Sequence, residues 1–292
     1  MAAGSRTEKG RLAIIAGSGL LPFYIAEAAR RAGEDPFIAA LKNESAQDWH
    51  GFDHATVGIG DFAGLAAAFR EHGVSRVVLS GAVARRPEWR DVRPTLRSLV
   101  KMPSVIRTLL SGGDDTVLRM VIQLLEANGW QVLGAHDIAP DLLASVGPIG
   151  RNRPNDDDIR DIRQAAKAAD MLGVLDVGQG AVSVGGRIVA LEGVEGTDQM
   201  LERVAELRAH GRISARRRGV LVKMCKTQQE MRADLPSIGV STVENAAKAG
   251  LAGIAIEAGR ALVLQHDEVM AAADAAGLFV CGIDRGLPGG VM

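Results

Sequence analysis

Short apolar runs alternate with amphipathic stretches through the first half of the chain. Residues 11–16 (RLAIIA) form an apolar run of the buried-strand type that ends at Gly17-Ser18-Gly19. The periodicity then predicts a helix over 20–32, with Gly33 as its stop. Strands are expected at 36–41, 55–59 and 76–81, and a helix over 62–72. Apolar runs separated by helical segments imply a parallel sheet with helices on its faces. Beyond these come a helix over 93–110, a second over 116–127 opened by Asp114-Asp115, and a strand over 130–134.

The pattern changes after Leu143. Residues 146–154 mix two glycines and two prolines with polar residues, the composition of a linker. The chain therefore reads as an N-terminal parallel-sheet domain over 1–146, a linker over 147–154, a C-terminal α/β domain over 155–284 and a loose glycine-rich tail over 285–292. In the second domain, Asn155–Asp158 caps a helix reaching about 171, and extended segments at 175–184 and 187–191 join through Gly185-Gly186 as a hairpin. A helix over 199–210 follows, with Thr197 or Asp198 as its N-cap. After a strand at 219–222, Ser241 and Glu244 have capping-box spacing for a helix over 242–249. Strands at 254–256 and 261–264, a helix over 267–276 and a strand at 278–281 complete the domain.

Composition narrows the function classes. Hydrophobic residues at 47% and charged residues at 24% describe a soluble globular protein. A formal net charge of −1 and aromatics at 3% offer neither attraction nor stacking surface for nucleic acid. Cys225 and Cys281 have no metal-ligand spacing and read as reduced thiols, which fits the cytosol. Residues 1–10 lack a signal-peptide core, and no apolar run is long enough to span a bilayer, so contact with lipid is expected from the water side.

Several stretches carry candidate chemistry. Gly17-Ser18-Gly19 after a first strand resembles a dinucleotide-binding turn, but Pro22 replaces its third glycine and no acidic residue ends the strand at 36–41. A tight connection and an anion site both remain open there. Arg85-Arg86-Pro87 lies just beyond the strand at 76–81, and four arginines fall within 212–218. Asp114 and Asp115 suit either a helix dipole or a metal or sugar ligand, and Glu195 either a surface position or a ligand. His266 is isolated and reads as structural. The densest signal is the loop at 223–236, where Lys223, Lys226, Arg232, Glu230 and Asp234 fall within a few residues. Cations bind phosphate oxygens while carboxylates bind a metal or activate water, although a solvated, self-neutralising loop has the same composition.

Taken in order, seven fragments carry a resemblance. They are Ile15–Gly19, Gly113-Asp114-Asp115, Asp176-Val177-Gly178-Gln179, Glu192 with Glu195-Gly196-Thr197-Asp198, Lys223 with Lys226, Gln229 with Arg232, and Asp234-Leu235-Pro236 with Ile238-Gly239. At this spacing the chain resembles the UDP-2,3-diacylglucosamine pyrophosphatase family of lipid A biosynthesis, of the type unrelated to calcineurin-like phosphoesterases. Glu230 stands where that pattern has Asp, and Thr227 where Pro is common.

The resemblance implies an α/β fold with an N-terminal Rossmann-like domain, a distinct C-terminal α/β domain and a substrate held between them. It implies Mg²⁺-dependent hydrolysis of UDP-2,3-diacylglucosamine to lipid X and UMP, with water attacking the α-phosphorus. Asp234 is then the principal acid, as metal ligand or water-orienting group, with Glu230 as the second metal candidate. Lys223, Lys226 and Arg232 neutralise phosphate charge. The implied substrate contacts are Gly17, Ser18, Gly19, Gly81, Asp114, Asp115, Gln179, Glu195, Gly196, Thr197, Asp198 and Gln229. The implied location is cytoplasmic and peripheral to the inner membrane, with no nucleic-acid partner and with a homodimer allowed. A dinucleotide-dependent oxidoreductase and a non-catalytic nucleotide-sugar or lipid-binding protein are the alternatives.

Overall fold

The computed structural model describes residues 10–83, 114–227 and 229–286, with Asp114 and Asp115 described by their backbone alone. The expected helix over 93–110, Arg85-Arg86-Pro87, Gly113, Gln228 and residues 287–292 lie outside the described residues. The chain divides into two compact units. One comprises the residues up to Pro140 together with Glu230–Asp234; the other comprises Asp141–Gln229 and the residues from Leu235 onward.

In the first unit, β1 (Arg11–Ala16), β2 (Phe37–Leu41), β3 (Asp53–Val57), β4 (Val74–Ser80) and β5 (Gln131–Leu133) form one sheet in the order β3-β2-β1-β4-β5. Every pairing in it is parallel. The order reverses between β1 and β4, the doubly wound arrangement expected from the alternating pattern. β3 begins at Asp53, earlier than its apolar residues suggest, because it pairs along the whole of β2 from Phe37↔Asp53 to Leu41↔Val57. Arg11 Nη1 also donates to Asp53 Oδ2 at 2.8 Å, so a polar residue starts the strand.

The helices of this unit are α1 (Leu21–Arg31), α2 (Phe62–Glu71), α3 (Asp114–Ala127) and the single turn α4 (Ala135–Ile138). Pro22 sits in the first turn of α1, where its missing N–H has no partner to lose, and Ile25, Ala26 and Ala29 bury one face. Asp61 caps α2, accepting from Gly64 N at 3.0 Å. Phe37, Phe69 and Trp130 meet edge to face, with centroids 6.3 and 5.1 Å apart, at the centre of the core.

The second unit holds a six-stranded mixed sheet in the order β6-β13-β11-β9-β7-β8. Its strands are β6 (Gly147–Pro148), β7 (Gly180–Val184), β8 (Arg187–Leu191), β9 (Val220–Lys223), β11 (Gly253–Glu257) and β13 (Phe279–Ile283). β9, β11 and β13 are parallel, while β6 and β7 run antiparallel to their neighbours. The stretch read as a linker thus contributes an edge strand. β10 (Ser237–Ile238) and β12 (Leu262–Val263) form a separate parallel pair.

Alternation along these strands divides the core. Val182, Leu221, Ile254, Ile256 and Val280 face one way, with residues of α6 (Gly196–Ala209), α7 (Val240–Lys248) and α8 (His266–Ala275). Ala181, Val220, Val222, Ala255 and Cys281 face the other, against Ile162, Ala165, Ala166 and Ala169 of α5 (Asp156–Val174).

Three boundaries in this unit differ from the sequence expectation. α5 continues to Val174, and Asp176 ends it in the left-handed region with φ 54°, so the extended segment begins only at Gly180. α6 starts at Gly196, which places Thr197 and Asp198 inside its first turn instead of at the cap. α7 starts at Val240, so Ser241 is helical and is not an N-cap; Gly239, extended at the end of the β10 segment, occupies that position. Backbone hydrogen bonds close these turns, such as Val177 N to Leu172 O after α5 and Gly196 N to Gly193 O before α6, and the capping pattern alone does not register them.

Candidate active site

Three parallel strands end on one edge of the second sheet, the edge where open α/β sheets place ligands. Lys223 closes β9 opposite Gly180 and Ile256, and Glu257 closes β11 opposite Ile283. The loop after β9 is tied down residue by residue. Lys223 is 6% exposed and its Nζ donates to the carbonyl of Ser237 at 2.9 Å. Met224 N donates to Gln179 O at 2.9 Å, and Cys225 N to Glu257 Oε2 at 2.9 Å.

Arg285 completes the tether. It donates to both carboxylate oxygens of Glu257 at 2.9 Å, to Asp170 Oδ1 at 2.8 Å, to Thr227 Oγ1 at 3.0 Å and to the carbonyl of Cys225. Hydrogen bonding to Glu257 holds the guanidinium pKa above its ordinary value. Gln229 closes the turn by accepting from Lys226 N at 2.9 Å and from the Cys225 thiol at 3.3 Å. Lys226 Nζ reaches Asp176 Oδ1 at 2.6 Å. The sequence reading missed Glu257 and Arg285. An acid directly ending the apolar run Ile254-Ala255-Ile256 was a usable signal for Glu257; Arg285, in a glycine-rich tail, gave none.

Beside this edge lies the motif Asp176–Gln179. Glu192, 6% exposed, accepts from Thr197 Oγ1 at 2.6 Å and from Gln179 N at 3.2 Å, locking the start of β7 to α6. The side-chain oxygen of Gln179 is buried and has no partner among the described residues. Such an orphan acceptor is expected to be met by ligand or water. Glu195 pairs with Arg203 at 3.1 Å, and Asp198 accepts from Asn245 at 3.1 Å. Gly196 has φ +80°, a conformation that favours glycine where the chain turns into α6.

The next five residues of the charged loop belong to the first unit. Arg232 Nε donates to Glu230 Oε1 at 2.9 Å and its Nη2 to Oε2 at 3.0 Å, while its Nη1 reaches Glu126 at 2.7 Å. The Arg232 hydrogen bond is the main cause that holds the Glu230 carboxyl below its usual pKa, and the same pair raises that of Arg232. Ala233 packs against the core of this unit, and Asp234 is exposed.

The glycine turn also lies in the first unit, at the switch between β1 and β4. Gly17 N donates to Ser80 O and Ser18 N to Ala82 O, both at 2.8 Å, and the Ser18 hydroxyl donates to Ala82 O at 2.9 Å. A Cβ on Gly17 would stand 2.5 Å from the Ala82 carbonyl, and one on Gly81 2.5 Å from that of Ser18. These glycines therefore let two backbones cross, and two of the amides a dinucleotide pyrophosphate would need are committed. The Ser80 hydroxyl, buried at the same crossing, has no partner among the described residues.

No group of three or more His, Cys, Asp or Glu side chains suited to a metal occurs among the described residues. The donor set does suit Mg²⁺ in its commoner form. Asp234 is an exposed hard-oxygen donor, and Mg²⁺ usually takes one or two carboxylates and fills its octahedron with water and substrate phosphate. Glu230 is placed differently, since both its oxygens accept from Arg232.

Comparison with known proteins agrees with this layout. Residues 11–142 match the family described as the LpxI N-terminal domain, and residues 145–281 the LpxI C-terminal domain. The chain is 42% identical over 275 residues to the UDP-2,3-diacylglucosamine pyrophosphatase LpxI of Caulobacter vibrioides, covering 94% of this chain and 98% of that protein. Among solved structures, the NAD complex of Thermus thermophilus UDP-glucose 4-epimerase is 14% identical with a TM-score of 0.29, over 94% of this chain and 86% of that one. An isoflavone reductase is 13% identical with a TM-score of 0.27, over 94% and 78%. Neither likeness bears on the fold or the chemistry. The two family matches and the Caulobacter relative together span nearly all of the sequence, and the chain belongs to the LpxI family.

Proposed function

We propose that the protein hydrolyses the pyrophosphate bond of UDP-2,3-diacylglucosamine, releasing UMP and 2,3-diacylglucosamine 1-phosphate (lipid X), a step of lipid A biosynthesis. The observation that carries this reading is the 42% identity with a pyrophosphatase of that name over both domains. Water attacks the α-phosphorus, the bond to the bridging oxygen breaks, and that oxygen leaves on the sugar phosphate. The water oxygen stays in UMP and its proton passes to solvent.

The chain's own residues supply orientation and charge. Asp234, exposed in its loop, orients the attacking water and is the residue that would hold Mg²⁺. When bound, the ion neutralises phosphate charge and acts as a Lewis acid. Lys223 and Lys226 add positive charge, and each is pre-aimed by one fixed partner, Ser237 O and Asp176. Glu230 and Glu126 fix the orientation of Arg232, whose guanidinium is the candidate to turn toward leaving-group charge once substrate is bound, with Glu230 the second candidate for the metal. Gln179, with its orphan oxygen, contacts the substrate. Gln229 shapes the Lys226 turn, and Gly196 shapes the start of α6. Glu192 and Thr197 brace the same edge.

Two further features belong to the proposal. Gly17, Ser18, Gly19 and Gly81, with Asp114, Asp115, Glu195 and Asp198, remain candidate substrate contacts. No helix among the described residues is long and apolar enough to cross a membrane, and the protein meets its lipid substrate peripherally, at the cytosolic face of the inner membrane. Incubation with UDP-2,3-diacylglucosamine in ¹⁸O-labelled water, with and without Mg²⁺, tests the reading. The expected outcome is Mg²⁺-dependent release of UMP carrying the label. Label in lipid X overturns attack at the α-phosphorus, and no cleavage overturns the activity.

A further inference from the structure

The solvent-facing stripe of α5 is sorted by chemistry. Arg160, Arg163, Lys167, Met171 and Val174 recur at spacings of three and four and are all exposed, so one face of the helix runs from basic to apolar. The apolar end continues around the helix terminus. Met171 is 69% exposed, Val174 64%, Leu175 70% and Val177 51%. Val194, fully exposed, lies two residues beyond Glu192, whose backbone packs against Gly178.

The charges around this tip are unevenly used. The acids next to it are paired: Asp170 with Arg285, Asp176 with Lys226 and Glu195 with Arg203. The side chains of Arg163 and Lys167 enter no hydrogen bond or ion pair among the described residues. The patch also adjoins the β9 loop, since Gly173 packs within 3.1 Å of the Lys226 backbone, measured from the position of an added Cβ.

We infer that the C-terminal end of α5 docks the protein on an anionic phospholipid surface, with Met171, Val174, Leu175, Val177 and Val194 inserting among the acyl chains and Arg163 and Lys167 facing the headgroups. This rests on the proposed acylated substrate, which resides in such a surface. Basic residues beside exposed aliphatics complement a negatively charged, amphipathic interface. A second copy of the chain fits less well. Five aliphatic side chains fall short of the roughly 800 Å² per partner of a stable interface, and unpaired lysine is depleted there.

Flotation of the full chain with vesicles tests this. Wild-type protein is expected to float with phosphatidylcholine vesicles containing phosphatidylglycerol, weakly with phosphatidylcholine alone, and less as salt is raised. Arg163→Glu with Lys167→Glu should lower partition onto the anionic vesicles by roughly thirty-fold or more. Val174→Ser with Leu175→Ser should lower it without changing turnover of a soluble, deacylated UDP-sugar substrate. Absence of wild-type flotation, or flotation of either double variant equal to that of wild type, overturns the inference. So does loss of a dimer in the Val174→Ser, Leu175→Ser variant with vesicle binding intact, which would assign the patch to a second copy. Flotation is read without turnover, so failure to release UMP from any substrate would sink the proposed activity and leave the docking result standing by itself.

Discussion

Arg285 grips Glu257 through two parallel hydrogen bonds, Nε to Oε1 and Nη2 to Oε2, each 2.9 Å long. Glu257 is 2% exposed and also receives the amide of Cys225, so the pair clamps the loop that carries Lys226 to the end of β11. A buried carboxylate tolerates its position only while such partners remain.

Replacing Arg285 with Ala should therefore cost about 2–4 kcal/mol of stability, tempered by the more distant Arg260, 3.5 Å from Glu257. Arg285→Lys should recover part of it, since one ammonium cannot reproduce the fork. Urea unfolding measures the first effect. A fall in kcat in the folded Arg285→Lys protein, with KM little changed, would show that the tether positions the loop beyond merely stabilising it.

Asp234→Ala should abolish UMP release while leaving the fold and substrate binding largely intact, because the side chain is exposed and lies outside the core. Calorimetric binding of the substrate alongside a discontinuous UMP assay separates the two. A folded variant with near-normal turnover removes Asp234 from the mechanism.

The Glu230–Arg232 pair predicts an acid limb in stability. The folded-state pKa of Glu230 lies below its ordinary 4.5, so the pair's contribution is complete above that value and is lost as pH falls through the folded pKa. Wild type should lose about 1 kcal/mol more than Glu230→Gln on acidification from about pH 5, after allowance for solvent screening. Superimposable pH–stability curves for the two proteins would contradict it.

Both cysteines should resist a thiol reagent in the native protein. Burial pushes the Cys281 thiol up to about 12, and Cys225 is 1% exposed, so neither sulfur is open to attack by the reagent in the folded protein. Two thiols should react after denaturation and none before it; rapid native labelling at either position would show that its strand or loop opens.

Much of this protein is decided locally. The apolar run at 11–16, the helix of 62–71 and the hairpin at Gly185-Gly186 follow from side-chain period and turn chemistry, which neighbouring residues set among themselves. The fragments at 176–179, 195–198 and 223–236 were likewise legible as part of the pattern that carries the family resemblance. What the order of residues did not disclose is where their hydrogen bonds go. The spacing does not show that both oxygens of Glu230 accept from Arg232, or that the amides of Gly17 and Ser18 donate to the carbonyls of Ser80 and Ala82. The same holds for Glu257 and Arg285, 28 residues apart, which become partners only when β11 and β13 lie side by side. Sequence by itself determined the family, the α/β alternation and the inventory of charged groups. Only the tertiary structure decided which of those charges are already satisfied, because a carboxylate or an amide is available to a ligand only if no distant segment has claimed it.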